Sequence, residues 1–471
     1  MSLPSPPAVG GDGPRFLILG LLFVPPLAAG ATHEPVFVPL LLGCGAAGLW
    51  SITRERARKA YGADRGPRVS GSPLPGSRLL GALHVYVLGQ LVPLPPPVLR
   101  VVSPGTFSFH SDTALVPLTS WRPISVSPGD TVRGLLFLAA FSLLYVAVYR
   151  EFGESRWRRR LLGTVLAAAS VLTALTLIQD ACPDPRGCGI WPRSGPLDTY
   201  GPFGNRHHFA GCLVMAIPVA MAFALEALQG LSRTWGSRRR GWMALGGPEA
   251  AAFLRRFAVA GLLLAGLLTS RSRGGVVAWA AAAPAHVLGF RRHRLRAALV
   301  VVALAAVGAA AMGIGDIVEG FRSRGIKASR IELWQDMVRL FPRFPLFGVG
   351  FNSFGLAYRS YQSVWRYYFV GEAHNEYLQV LLELGIVGSL LVAALLALLF
   401  TRALAASTRA PLEAGIFASL LGLAVHNLVD FNWQIPASAA TYTALAALAL
   451  RASDDRSRTT ARRERPPGAP G

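Results

Sequence analysis

His374, Glu376, Gln379 and Glu383 are the residues whose types and spacing most suggest chemistry. They lie in Glu372-Ala373-His374-Asn375-Glu376-Tyr377-Leu378-Gln379, which continues through Glu383-Leu384-Gly385-Ile386-Val387-Gly388 into a long apolar run. Where a polar segment meets an apolar one, a membrane helix starts, so His374 is expected at a helix mouth. The positive end of the helix dipole there disfavours a charged ring, leaving an imidazole able to accept a proton, and it attracts phosphate. Glu376, Gln379 and Glu383 fall on one helical face, with Glu383 about 10 Å below Glu376 at 1.5 Å per residue. A carboxylate at that depth in lipid costs roughly 2.5 kcal/mol or more unless it faces protein or water, so the stripe is expected to look inward. Gly385 and Gly388 leave the backbone open to a neighbouring helix. The alternative is an interfacial histidine that only caps a helix.

Such a site needs a membrane-embedded frame, and the composition supplies one. The chain has 471 residues, 52% hydrophobic and only 15% charged, with a net charge of +22. Its arginines fall in short clusters between apolar runs, which excludes a nucleic-acid face and reads as membrane topology. Apolar stretches predict an all-α polytopic membrane protein of about twelve transmembrane helices. They run over 15–31, 36–52, 79–98, 131–149, 161–178, 207–229, 257–269, 274–290, 297–314, 376–400, 412–430 and 434–450. A large loop precedes the tenth. Basic clusters in alternate linkers (Arg54 to Arg78, Arg156 to Arg160, Arg238 to Arg240, Arg291 to Arg296) and in the tail put both termini in the cytoplasm and the His374 loop outside. Residues 91–97, with four prolines, are expected to break or end the third span, and 99–130 to form a small β-like excursion. Cys182 and Cys188 share one polar loop and can form a disulfide if that loop is outside.

Five further stretches carry cationic or titratable groups. Asn205 is a good N-cap, so Arg206, His207 and His208 open a helix at the outer end. They either anchor the interface or contact a phosphate. The run Phe257 to Ser270 is only about 21 Å long as a helix, so the tip Ser270-Arg271-Ser272-Arg273-Gly274-Gly275 is expected to be recessed. Recessed arginines suit a diphosphate; snorkelling to water is the bland alternative. Arg330 opens an amphipathic helix over 329–338, with Trp334 on its packed face. Tyr358 to Phe369 form an aromatic–basic belt that fits a saccharide surface and an interfacial girdle equally well. His426 and Asp430 stand at i and i+4 and can pair, near the site or merely between helices. The outer loops show no metal-ligand set, so neither a metal nor another cofactor is expected.

His374-Asn375-Glu376-Tyr377-Leu378-Gln379 followed by Glu383-Leu384-Gly385-Ile386-Val387-Gly388 resembles the signature of the O-antigen ligase and polymerase superfamily. Ser272-Arg273-Gly274, Arg330 with Trp334, and Gly201-Pro202-Phe203-Gly204-Asn205-Arg206-His207-His208-Phe209-Ala210-Gly211 also resemble its elements, although His207 stands where the family has asparagine. The resemblance covers roughly 130–440. It implies a GT-C-like fold over 15–450, with 315–375 as a periplasmic catalytic loop and 1–14 and 451–471 as disordered ends. The implied enzyme is a metal-independent, inverting glycosyltransferase of the bacterial inner membrane. Its donor is an undecaprenyl-diphosphate-linked oligosaccharide, its acceptor a saccharide or lipid-linked saccharide, and its other partners are membrane lipids. His374 and Arg273 are then catalytic, with Arg206, His208, Arg271, Arg330 and Glu376 binding substrate. O-antigen ligase, O-antigen or exopolysaccharide polymerase and protein O-oligosaccharyltransferase all fit. A lipid-linked oligosaccharide flippase is the alternative from another class.

Overall fold

The structure, a computed structural model, describes residues 11–60, 74–113, 119–182, 200–235, 247–289, 328–366 and 368–464. Every regular element among them is helical: α1 Gly13–Leu27, α2 Glu34–Ala60, α3 Ser77–Gln90, α4 Pro96–Val102, α5 Pro104–Thr113, α6 Pro128–Glu151, α7 Ser155–Asp180, α8 Arg206–Trp235, α9 Pro248–Thr269, α10 Arg273–Ala282, α11 Ala328–Leu340, α12 Phe354–Tyr361, α13 Glu376–Ser407, α14 Pro411–His426 and α15 Pro436–Glu464. The apolar stretch at 297–314, the clusters Arg238 to Arg240 and Arg291 to Arg296, Cys188, and the first part of the long loop lie outside the described residues.

Six helices are long and apolar enough to cross a membrane: α2, α6, α7, α8, α9 and α13. The chain is thus an α-helical, multi-pass membrane protein, with fewer spanning helices among the described residues than the twelve apolar stretches suggested. Prolines and chain length account for much of the difference. The third stretch stops at Gln90, and Pro95 and Pro96 start a separate short helix. The eighth gives ten helical residues before Pro284 turns it into a 3-10 segment. The expected β-like excursion is helical, as α4 and α5, with one isolated bridge between Leu94 and Arg122. The seventh stretch is not short. Pro248 opens α9 nine residues before Phe257, where the apolar run begins, and its 22 residues make about 33 Å. Nor does helix stop at 450. Asp454 and Asp455 lock α15 to the bundle through Arg402 at 2.6 Å and Arg158 at 3.7 Å, so it continues to Glu464.

Hydrophobic burial does not drive helices together within lipid, so close packing of small residues has to. Ala216, Ala220, Ala222 and Ala224 of α8, and Ala414, Gly415 and Ala418 of α14, are buried. At one end of the bundle Glu151 is buried against Arg54 at 3.2 Å and Arg15 at 3.5 Å. At the other, Leu333, Met337, Phe344, Phe354 and Tyr358 form a separate apolar cap with Ala373 and Leu382 of the α13 mouth.

Helix α13 is not continuous. Gly385 has φ +62° and ψ −169°, which opens the helix there. Residues 345–350 enter the gap: Val349 N–H donates to Leu382 O at 3.0 Å and Gly350 N–H to Glu383 O at 3.1 Å. Ile386 N–H donates to Pro345 O at 2.8 Å. Gln90 Nε2 adds bonds to Glu383 O at 3.0 Å and Phe347 O at 2.7 Å. Irregular backbone is tolerated in such a place only where protein satisfies its polar groups. The first two turns of α13 are therefore a short separate piece, fixed to the cap. From Ile386 to Ser407 the helix still measures about 33 Å.

Candidate active site

The short piece of α13 begins at Asn375, whose Oδ1 accepts Tyr377 N–H and Leu378 N–H, each at 3.1 Å. His374 precedes this cap with φ +51°, a left-handed turn uncommon outside glycine. Trp334 Nε1 donates to Ala373 O at 2.9 Å, and Glu376 N–H to Asn427 O at 3.0 Å. The turn thus aims the half-buried imidazole at the loop between α14 and α15.

Asp430 of that loop is the centre of the site. It is buried, and three imidazoles face it: His374 Nδ1 at 3.7 Å from Oδ1, His208 Nδ1 at 3.8 Å and His426 Nε2 at 3.9 Å from Oδ2. These are charge contacts, too long for hydrogen bonds. His374 Nδ1 and Asp430 Oδ1 both lack a hydrogen-bond partner, so a small ring rotation would pair them. Asn432 Nδ2 holds the other carboxylate oxygen at 3.1 Å. The Phe431 ring meets His208 and His374 edge-on at 4.6 and 4.9 Å, fixing both planes. Burial by itself raises the Asp430 carboxyl, but His208, His374, His426 and His207 around it hold it below the usual carboxylate range. The site therefore keeps a buried anion against three imidazoles.

Two helix starts point at this cluster. Asn205 Oδ1 accepts His207 N–H at 2.8 Å, making Arg206 the first residue of α8. Ser272 caps α10, accepting Gly275 N–H at 3.3 Å, so Arg273 is its first residue. His207 Nδ1 lies 2.9 Å from Ser272 Oγ and joins the two starts. A Cβ at Gly274 would sit 2.8 Å from Val429 Cγ2 and 3.3 Å from His426 Nε2, so only glycine allows the α10 start to press on this loop. Arg330 of α11 donates from Nη1 to Val429 O at 2.7 Å. With α13, three positive helix ends lie beside the loop at 426–432, and Arg206 and Arg273 are the first residues of two of them. Residues 258–393 match the family model described as O-antigen ligase. That match supports membership of the O-antigen ligase superfamily. No curated protein matches it.

The match supports a glycosyltransferase-like function of ligase or polymerase type, on lipid-linked saccharides, in surface polysaccharide biosynthesis. The matched O-antigen ligase segment holds Arg271, Arg273, Arg330, His374 and Glu376; Arg206, His208 and Asp430 lie outside it. Not all the expected residues sit alike. Arg271 is exposed in a left-handed turn, its charge felt by Tyr200. His208 is buried on Asp430 and not open to a substrate. Glu376 does not orient His374: its carboxylate accepts Trp433 N–H at 3.0 Å and Gln434 Nε2 at 3.3 Å, tying the loop to α13. The carboxylate that faces His374 is that of Asp430. The i, i+4 spacing with His426 had already marked it, but nothing local could show that His374 and His208 converge on it too. Glu383 is buried as expected, yet it faces protein, accepting Asn352 N–H at 2.8 Å and Phe354 N–H at 3.2 Å.

Glu372 completes the neighbourhood of His374, accepting Gln379 Nε2–H at 2.7 Å. Burial pushes its carboxyl well above the usual range, and Glu383 and Glu376 add to this against the Gln379 hydrogen bond. Between the usual carboxylate pKa and that raised value, the folded chain holds a proton that the unfolded chain has lost, so stability falls as pH rises through the window. Glu372→Gln is expected to remove that fall. The thermal midpoint of the variant should drop less than the wild-type midpoint between about pH 5 and about pH 8. Among the described residues no group of three or more His, Cys, Asp or Glu side chains has metal-holding geometry.

Proposed function

We propose that the protein transfers a glycan from undecaprenyl diphosphate to an acceptor hydroxyl at the periplasmic face of the bacterial inner membrane. The observation that carries this reading is the His374 imidazole set against buried Asp430, beside helix starts that bear Arg206 and Arg273. His374 takes the proton of the acceptor hydroxyl as its oxygen attacks the anomeric carbon. The bond from that carbon to the diphosphate oxygen breaks, and the diphosphate leaves with the electron pair. Arg273, Arg206 and Arg330, with the ends of α8 and α10, stabilise the charge that departs. Asp430 is a positioning residue that steadies the imidazolium formed at His374. A single displacement inverts the anomeric centre.

Two observations support a periplasmic site. Cys182, at the site end of α7, is disulfide-bonded, and neither Cys44 nor Cys212 is its partner, both being free thiols. Disulfides persist in oxidising compartments. The opposite end carries Arg54, Arg56, Arg58 and Arg156 to Arg160, as expected of a cytoplasmic surface.

Purified protein should be incubated with undecaprenyl-diphosphate oligosaccharide and either lipid A–core or a second carrier-linked repeat unit, with and without EDTA. Transfer that survives EDTA is expected; transfer to lipid A–core marks a ligase, and to the repeat unit a polymerase. Carrier movement across a bilayer without any bond formation would favour a flippase and overturn the reading.

A further inference from the structure

The aromatic–basic stretch just ahead of His374 takes no part in the chemistry above, yet it is built as a pocket. Arg359, Gln362, Trp365, Arg366, Tyr368 and Phe369 line it. The three rings are 67%, 66% and 61% exposed, a cost to any soluble surface that goes unused. The frame behind them is rigid. Tyr358 is buried and stacked on Phe354 at 5.5 Å, and its hydroxyl donates to Asp336 Oδ2 at 3.3 Å. The same carboxylate oxygen accepts Ser363 N–H at 3.0 Å. Arg366 is nearly buried and held by Glu332 at 3.3 Å.

We propose that this pocket is a saccharide subsite, which binds non-reacting sugars of a glycan whose end reaches His374. This inference rests on the glycan-transfer reading. A pyranose presents an apolar C–H face and a rim of hydroxyls, and so needs flat rings and in-plane polar groups within one concavity. Trp365, Tyr368 and Phe369 supply the rings. Gln362 supplies an amide that donates and accepts. Arg359 and Arg366 add guanidinium groups, which favour sugars bearing carboxylate or phosphate. A membrane girdle needs the rings but neither the concavity nor the amide. Five residues separate Phe369 from His374, a span of at most about 18 Å even fully extended, within reach of a short oligosaccharide. Binding energy gathered here from remote sugars would hold the reacting hydroxyl or anomeric carbon at the imidazole.

The test uses the full chain in lipid nanodiscs. The probe is a uronic-acid hexasaccharide, with maltohexaose as the neutral comparison, and the readout is saturation transfer from protein to sugar C–H protons. Saturation transfer to the acidic probe is expected to exceed that to maltohexaose and to fall about fivefold in Trp365→Ala/Tyr368→Ala. It should fall in Arg359→Ala too, a surface change that spares the fold, and persist in His374→Ala. Equal saturation transfer in wild type and both pocket variants would overturn the proposal. So would quenching by brominated phospholipid that Trp365→Phe abolishes, because that puts the rings in the membrane interface. In the transfer assay the double variant should raise KM about tenfold for one glycan with kcat within twofold. A change for the acceptor or for the donor identifies which glycan the pocket holds. Saturation transfer without any detectable transfer would retire the enzymatic reading and leave the binding site standing.

Discussion

His374→Ala is expected to lower kcat for glycan transfer by about 10²–10⁴-fold, the usual worth of a positioned general base, with carrier-lipid binding unchanged. The split follows from the geometry. The imidazole meets Asp430 through Nδ1 at 3.7 Å, which leaves its other nitrogen for the acceptor, whereas the arginines come from α8, α10 and α11 and do not depend on that ring. Asp430→Asn keeps the shape of the loop and removes the negative charge. Its expected cost is about 10- to 100-fold in kcat, the worth of one charge-assisted contact of roughly 1.5–3 kcal/mol, with carrier KM unaltered. Single-turnover transfer and equilibrium carrier binding, measured side by side on the two variants, check both figures. Full transfer by His374→Ala would end the base assignment, and equal losses of binding and transfer would make the residue structural.

How much of this site the sequence disclosed follows from the range of each interaction. Spacing along one helix is local, so the buried face of Glu376, Gln379 and Glu383 was legible, as was Asn205 as the cap that makes Arg206 a first residue. The meeting of those helix starts with Arg330 at one loop was legible only through resemblance, since no pattern within one element encodes a contact between α8, α10 and α11. Asp430 shows the limit. Its pairing with His426 is an i, i+4 relation, but its contacts with His208 and His374 join residues far apart in the chain. Glu383 is inward-facing as its spacing implied, but the backbone N–H donors of Asn352 and Phe354 that meet it come from a distant loop, which no local pattern announces. Hydropathy also misjudged ends. Glu249, Arg255 and Arg256 lower it without stopping α9, and Asp454 and Asp455 lower it while fixing α15 through ion pairs.

Gly385→Ala is expected to be severely damaging for a single-methyl change. At φ +62° and ψ −169° the backbone occupies a region essentially reserved for glycine, where strain costs about 1–3 kcal/mol. The new Cβ would also lie 2.4 Å from Leu346 C and O and 2.6 Å from Gly348 N. Those are backbone atoms of the inserted segment and cannot rotate away, so overpacking adds about 1–3 kcal/mol. Relief requires either closing the helix, which expels residues 345–350 and strands the bonds to Leu382, Glu383 and Ile386, or moving the piece of α13 that carries His374. The first lowers the thermal midpoint and the yield of folded protein; the second lowers kcat in whatever protein folds. Gly388→Ala separates strain from bulk. Its Cβ would lie 2.6 Å from Tyr86 Cε1, a side-chain ring that can swing, and from Leu384 Cβ, and its backbone is ordinary helix. A milder loss of stability with near-normal kcat is expected there. If thermal unfolding and transfer in detergent gave the two variants the same profile, the break would be a packing accident and not the device that sets His374 over Asp430.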